Sequence, residues 1–268
     1  MLNNTNIINA LANKGFNNVE ATSVIKNGAT LTGFRYVPEG SNVGATVYTD
    51  DCKTDDDAIA RCADLFSKAM PNVGNPFEDF DESRLTASIF AKGNSGSDLA
   101  RPFLDLEICP YYVVTDNGSE IGAVKFTSDL MRFTNMDVKT LVDTAIANAF
   151  TDCDVRNITD VISELTGVPA FMLGSMPMWV ITNARKTNGA VNIANTDALV
   201  KLANNLDSDL YILPSSRHEI LALPTDMGTP ERLRMMVGEV NETEVRAEDL
   251  LCDNVYIFSR KTRSVTVA

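Results

Sequence analysis

The chain holds a single histidine, His218, in the stretch YILPSSRHEILALP at residues 211 to 224, beside Glu219 and just after Ser215 and Ser216. A hydroxyl next to an imidazole is the pair that activates a serine nucleophile, the imidazole taking the proton as general base. If residues 216 to 221 run as a strand, Ser216 and His218 share a face about 7 Å apart at Cα, and the two groups could meet. Glu219 would then point to the opposite face and could not orient the ring. The third member of a triad would have to come from elsewhere, and Asp105, Asp197 and Glu239 are all open. No G-x-S-x-G elbow occurs in the sequence. The catalytic candidates are therefore Ser215, Ser216, His218 and Glu219, and Asn183 is the candidate ligand-binding residue.

The competing reading is a tight turn on Pro214-Ser215-Ser216-Arg217, in which proline pre-sets φ and serine hydroxyls satisfy turn amides. His218 and Glu219 would then open the return strand, and this simpler reading is favoured. A histidine-based zinc site fails outright, because H-E-x-x-H would need a second imidazole where Ala222 stands. Asp50, Asp51 and Asp55 to Asp57 have the charge of a calcium loop but neither its spacing nor its central glycine; a capped helix start explains them better. Glycines 28, 33, 40 and 44 match neither G-x-G-x-x-G nor a P-loop. Met178 and Trp179 read as core residues of a strand, and Arg260, Lys261 and Arg263 as a solvated turn. No cofactor and no metal is expected.

These residues must be carried by a substantial scaffold. The chain has 268 residues, 44% of them hydrophobic and 22% charged, which suits one large domain or two modest ones. Asn27-Gly28 and Asp116-Asn117-Gly118 read as hairpin turns between apolar runs. Val138, Leu141, Val142, Ala145, Ile146 and Ala149 fall on one helical face. Asn195 or Thr196 can cap a helix over NTDALVKLANNL, and Pro230 opens another. Hairpins outnumber helix crossovers, so the expected fold class is α+β, with mainly antiparallel sheets packed against several amphipathic helices. The acidic, Pro-containing stretch PNVGNPFEDFDE suggests an N-terminal lobe over 1–75 and a main α+β domain over 76–268, or one continuous domain.

The N-terminus lacks the charged start and apolar run of a secretory leader, and no run is long enough to cross a bilayer, so a cytoplasmic protein without membrane contact is expected. Five scattered cysteines without a C-x-x-C pair fit reduced, mostly buried thiols. With 23 basic and 36 acidic residues the net charge is −13. That field repels phosphate backbones, so general nucleic-acid binding is not expected, whereas a protein partner with a basic surface would be attracted.

Ile212-Leu213-Pro214-Ser215-Ser216, Arg217 and His218-Glu219 resemble an uncharacterised bacterial family of the gut Firmicutes type, a domain of unknown function. Similar stretches are Thr182-Asn183, Gly189-Ala190, Val240-Asn241, Leu251 to Tyr256, Asn27-Gly28 through Gly33, Glu39 to Asn42 and a Leu104-Asp105-Leu106 strand. Cys252 stands where the family would lead one to expect serine. The resemblance covers nearly the whole chain and implies one folded unit, with no known activity and no catalytic residues to carry over. Two functions follow from the residues themselves: an acidic cytosolic protein that binds a macromolecular partner, or a hydrolase-like enzyme using Ser215 or Ser216 with His218.

Overall fold

The computed structural model describes residues 2–26, 29–41, 44–69, 76–116, 121–214 and 216–268. Helix α1 (Asn4–Asn13) leads into an antiparallel sheet of β1 (Val19–Lys26), β2 (Ala29–Tyr36) and β3 (Ala45–Tyr48), and helix α2 (Asp55–Ala69) follows. The acidic run Asp55 to Asp57 is the first turn of α2, and two of its members serve helix starts. Thr54 Oγ1 accepts from the Asp57 N–H at 3.1 Å while Asp57 Oδ2 accepts from the Thr54 N–H at 3.2 Å, a reciprocal cap. Asp55 reaches across to α1, accepting from the Asn3 N–H at 2.9 Å and from Asn6 Nδ2 at 2.8 Å. Ile7, Leu11, Phe34, Ala58, Cys62 and Phe66 form a core of their own between these elements. The Asn27-Gly28 turn and residues 71–75 of the 71–82 connection lie outside the described residues.

A second antiparallel sheet consists of β4 (Leu85–Ala91), β5 (Arg101–Phe103), β6 (Leu106–Asp116) and β7 (Ile121–Lys125). β4 lines one edge of β6, and β5 and β7 divide the other. Leu104-Asp105, expected within a strand, is instead the turn between β5 and β6, with Leu104 at φ +56°. Asp105 fastens that turn to the far end of the chain: it accepts from Tyr256 Oη at 2.5 Å and from Asn254 Nδ2 at 2.7 Å. Residues 117 and 118 of the expected β6–β7 turn lie outside the described residues.

Helix α3 (Val138–Phe150) packs on β4, capped by Asp137, whose Oδ1 accepts from the Thr140 N–H at 2.8 Å. Its Leu141, Val142, Ala145 and Ala149 are buried as the periodicity predicts, whereas Val138 at the first turn is 45% exposed. The chain continues through β8 (Cys153–Asn157), α4 (Ile158–Thr166), α5 (Ala170–Leu173), β9 (Trp179–Asn183), α6 (Thr196–Leu206), β10 (Leu210–Leu213), β11 (Ile220–Pro224), α7 (Pro230–Thr243), β12 (Tyr256–Ser259) and β13 (Ser264–Val267). The strands form one antiparallel sheet in the order β13-β12-β10-β11-β9-β8. Asn195 is the residue that caps α6, and Thr229 caps α7 ahead of Pro230. Trp179 is half-buried at the β9 start, not a full core residue.

The architecture is thus α+β with antiparallel sheets, as expected. One core joins the two larger sheets: Ile108 and Tyr112 of β6, Leu141 and Ala145 of α3, Ile181 of β9, Ile212 of β10 and Tyr256 of β12 belong to a single buried cluster. The five cysteines are free, and Cys62 and Cys109 are buried. Burial pushes the Cys62 thiol up to about 12 and the Cys109 thiol up to about 11, so neither is a ready thiolate. No helix among the described residues is long and apolar enough to cross a membrane.

Candidate functional site

Pro214 closes β10, and residues 216–219 return the chain to β11 as a bend, with regular pairing resuming only at Ile220. The face separation expected of a strand is therefore lost. Ser216 Oγ donates to Glu219 Oε1 at 3.1 Å and accepts from the His218 N–H at 3.1 Å, so Ser216 and Glu219 meet. This is a serine side chain satisfying a turn amide. Ser216 also forms an isolated β-bridge with Leu250. Ser215 lies outside the described residues.

The imidazole of His218 is engaged at both nitrogens. Nδ1 accepts from the Asn188 N–H at 3.3 Å, and Nε2 stands 3.3 Å from Asp249 Oδ1. An accepting Nδ1 places the ring proton on Nε2, directed at that carboxylate. A base for Ser216 would need one of those nitrogens turned to its hydroxyl, and the structure does not bring the two together. The carboxylate at the ring is Asp249 and none of the three open candidates: Asp105 holds Tyr256, Asp197 pairs with Arg263, and Glu239 lies on α7. Asp249 was illegible locally, since it is brought in by the Ser216–Leu250 bridge and by the Arg217 N–H donating to its carbonyl at 2.9 Å.

The backbone of the bend caps a neighbouring turn. The carbonyls of His218 and Arg217 accept from the N–H groups of Gly189 and Ala190, at 3.0 and 3.2 Å, at the start of the 3-10 turn Gly189–Ala194. Thr182 Oγ1 donates to the same His218 carbonyl at 2.7 Å. Gly189 is required by proximity: a Cβ there would stand 2.4 Å from Thr182 Oγ1 and 2.7 Å from the Asn183 nitrogen. Asn183, the candidate ligand residue, closes its own loop, accepting from the Thr187 N–H at 3.1 Å and donating to the Thr187 carbonyl at 2.8 Å.

Beside the bend, Arg217 is 4% exposed and helps line a cleft of about 840 Å³. The cleft runs between β4, β6 and β7 on one side and residues 183–191 on the other, with Val24, Ile25 and Tyr48 contributed by the first sheet. Its walls carry Arg84, Lys125, Arg185 and Arg217 against the carboxylates Asp116 and Asp152, a cationic lining in an acidic protein. Arg185 is paired with Asp116 at 2.5 Å, and Arg84 donates to the Val114 carbonyl. Composition gave no sign of this basin, because its cations come from segments distant in the chain.

A second concavity, about 590 Å³, lies between α7 and the segment 176–178. Met176, Met178, Met227, Met235 and Met236 line it, half of the ten methionines in the chain. Met235 is 65% exposed and Met227 49%.

No curated protein matches the chain, and no solved structure matches it. Residues 99–260 match the model of a Family of unknown function (DUF5688). The match takes in β6, α3, the bend and the methionine groove, and it leaves out the first sheet. With more than half of its length so matched, the chain belongs to that family.

Proposed function

We propose that the protein is a cytosolic, acidic binding protein whose partner is another protein presenting a basic amphipathic helix to the methionine groove. The observation that carries this reading is the gathering of five of the ten methionines around one open groove. Unbranched thioether side chains adapt to varied apolar shapes, and they suit a surface that receives an apolar helix face. Single exposed apolar residues are ordinary; a grouped set marks a contact surface.

Charge selects the partner. Glu239 and Arg232 line the groove, and along the same helix Glu231 and Glu242 outweigh one further cation, Arg234. The net charge of −13 draws a basic segment and opposes a phosphate backbone. The alternative, acyl chemistry by Ser215 or Ser216 with His218, draws no support from the contacts of Ser216 and His218, which go to Glu219, Asn188 and Asp249.

Fluorescence anisotropy with two labelled amphipathic peptides of one apolar pattern, Lys-rich and Glu-rich, tests this reading. The Lys-rich peptide is expected to bind at least about tenfold tighter at low salt and to weaken as salt rises. Met235→Glu with Met236→Glu should lower that affinity by about tenfold or more, since burying a methionine contributes roughly 1.5–3 kcal/mol. Equal affinity for the two peptides, or no binding of either, contradicts the proposal.

A further inference from the structure

We propose that the inner end of the cleft between β4, β7 and residues 183–191 binds the phosphoryl group of a small organic phosphate ester, held between Arg217 and Lys125. The proposal goes beyond the protein-partner reading and rests on different residues.

Arg217 is the starting point. Its guanidinium stacks over the Phe90 ring with Cζ 4.1 Å from the centroid. One terminal nitrogen donates to Asn188 Oδ1 at 2.7 Å and to Ser88 Oγ at 3.3 Å, and the other reaches the Glu248 carbonyl at 3.5 Å. All of these acceptors are neutral. Nε, although buried, has no hydrogen-bond partner among the described residues. Asp249 and Glu248 act on the guanidinium through space, and neither forms an ion pair with it among the described residues. A buried cation is normally paired, because its hydration is lost and must be replaced. Here the replacement falls short by an acceptor and a negative charge.

Lys125 compounds the deficit. Its ammonium stands over the same Phe90 ring, 5.9 Å from the centroid, and pairs with no carboxylate among the described residues. Burial holds it below the usual lysine range, and the nearby Arg217 charge presses the same way, while Cys109 and Glu107 oppose. Glu107 is itself occupied, accepting from the Ser95 N–H at 2.6 Å. Two desolvated cations beside one ring are a poor resting arrangement by themselves and a good one around a dianion.

The charge count selects the ligand. A phosphate monoester carries about −1.5 to −2 at neutral pH and offers three acceptor oxygens, which suits a cleft lined by a guanidinium and an ammonium that have no ion-pair partner among the described residues. A monocarboxylate would leave one of the two charges unmet. The cleft continues past the cations along Val113, Ile121 and Ala123, and its 840 Å³ exceeds what an inorganic ion needs. A small organic body attached to the phosphate is what that wall accommodates.

Isothermal titration of the full chain with phenyl phosphate, inorganic phosphate, succinate and benzoate tests the assignment. Phenyl phosphate is expected to bind at least about tenfold tighter than the other three. Lys125→Met, a half-buried position that tolerates an isosteric apolar chain, should lose about tenfold in phenyl phosphate affinity with an unchanged circular dichroism spectrum. Arg217→Lys should lose more, and the Lys125 variant keeps the test open if Arg217→Lys fails to fold. No binding of phenyl phosphate, or undiminished binding by Lys125→Met, overturns the site. Succinate matching phenyl phosphate overturns the phosphoryl class, and inorganic phosphate matching it overturns the organic body.

Discussion

Replacing Gly189 with alanine is expected to destabilise the protein by on the order of 3 kcal/mol, although only one methyl group is added. Most overpacked positions can relax by swinging a side chain aside. Here the new Cβ meets backbone, the Asn183 nitrogen and Thr182 Cα, both at 2.7 Å. The third obstacle is Thr182 Oγ1, whose movement would break its bond to the His218 carbonyl. The clash and the lost bond act on the same joint, where β9, the Gly189–Ala194 turn and the bend meet. A loss of that size is a large fraction of a total stability of roughly 5–15 kcal/mol. Urea denaturation followed by circular dichroism would register it as a lower midpoint with an unchanged slope. A midpoint equal to that of the parent chain would mean that residue 189 does not approach β9 as described.

Leu141→Ala is expected to cost about 2–5 kcal/mol. Leu141 is fully buried at the centre of the cluster that joins the two larger sheets, on a helix that packs against β4. Alanine there leaves a void that strands on both sides would have to fill, and paired strands shift little. The same urea titration measures it, and a variant as stable as the parent would remove α3 from the core. The two losses should add within a few tenths of a kcal/mol if the helix and the joint are independent.

The elements that were legible in the sequence are those whose signal is local. The α3 face follows from 3.6-residue spacing, and the caps Thr54 and Asn195 follow from side chains that compete for free N–H groups. β8 had no such signal, since CDVRN is a half-buried edge strand with little alternation, whereas α4 carries one in the cap Asn157 and in Ile158, Val161, Ile162 and Leu165 at helical spacing. Leu104 was misread because a leucine at positive φ runs against its intrinsic preference, and the turn is held by Asp105 through bonds to residues near the far end of the chain.

The candidate site was legible as a place but not as an arrangement. Serines after a proline do form a turn, yet the meeting of Ser216 with Glu219 depends on a bend where a strand was assumed. Asp249 and Asn188 reach His218 only through tertiary pairing. Arg217 was passed over because arginine is usually exposed; its burial depends on Ser88, Phe90 and Asn188, which lie far from it in the chain.

His218 is held at both ring nitrogens, and long-range proton–nitrogen NMR correlation of the imidazole tests that directly. With only one histidine in the chain, a single imidazole pattern appears and needs no assignment. The expected result is a ring proton on Nε2, with Nδ1 shifted as a hydrogen-bond acceptor. A ring protonated on Nδ1, or one averaging freely between tautomers, would contradict it and return His218 to the pool of available bases.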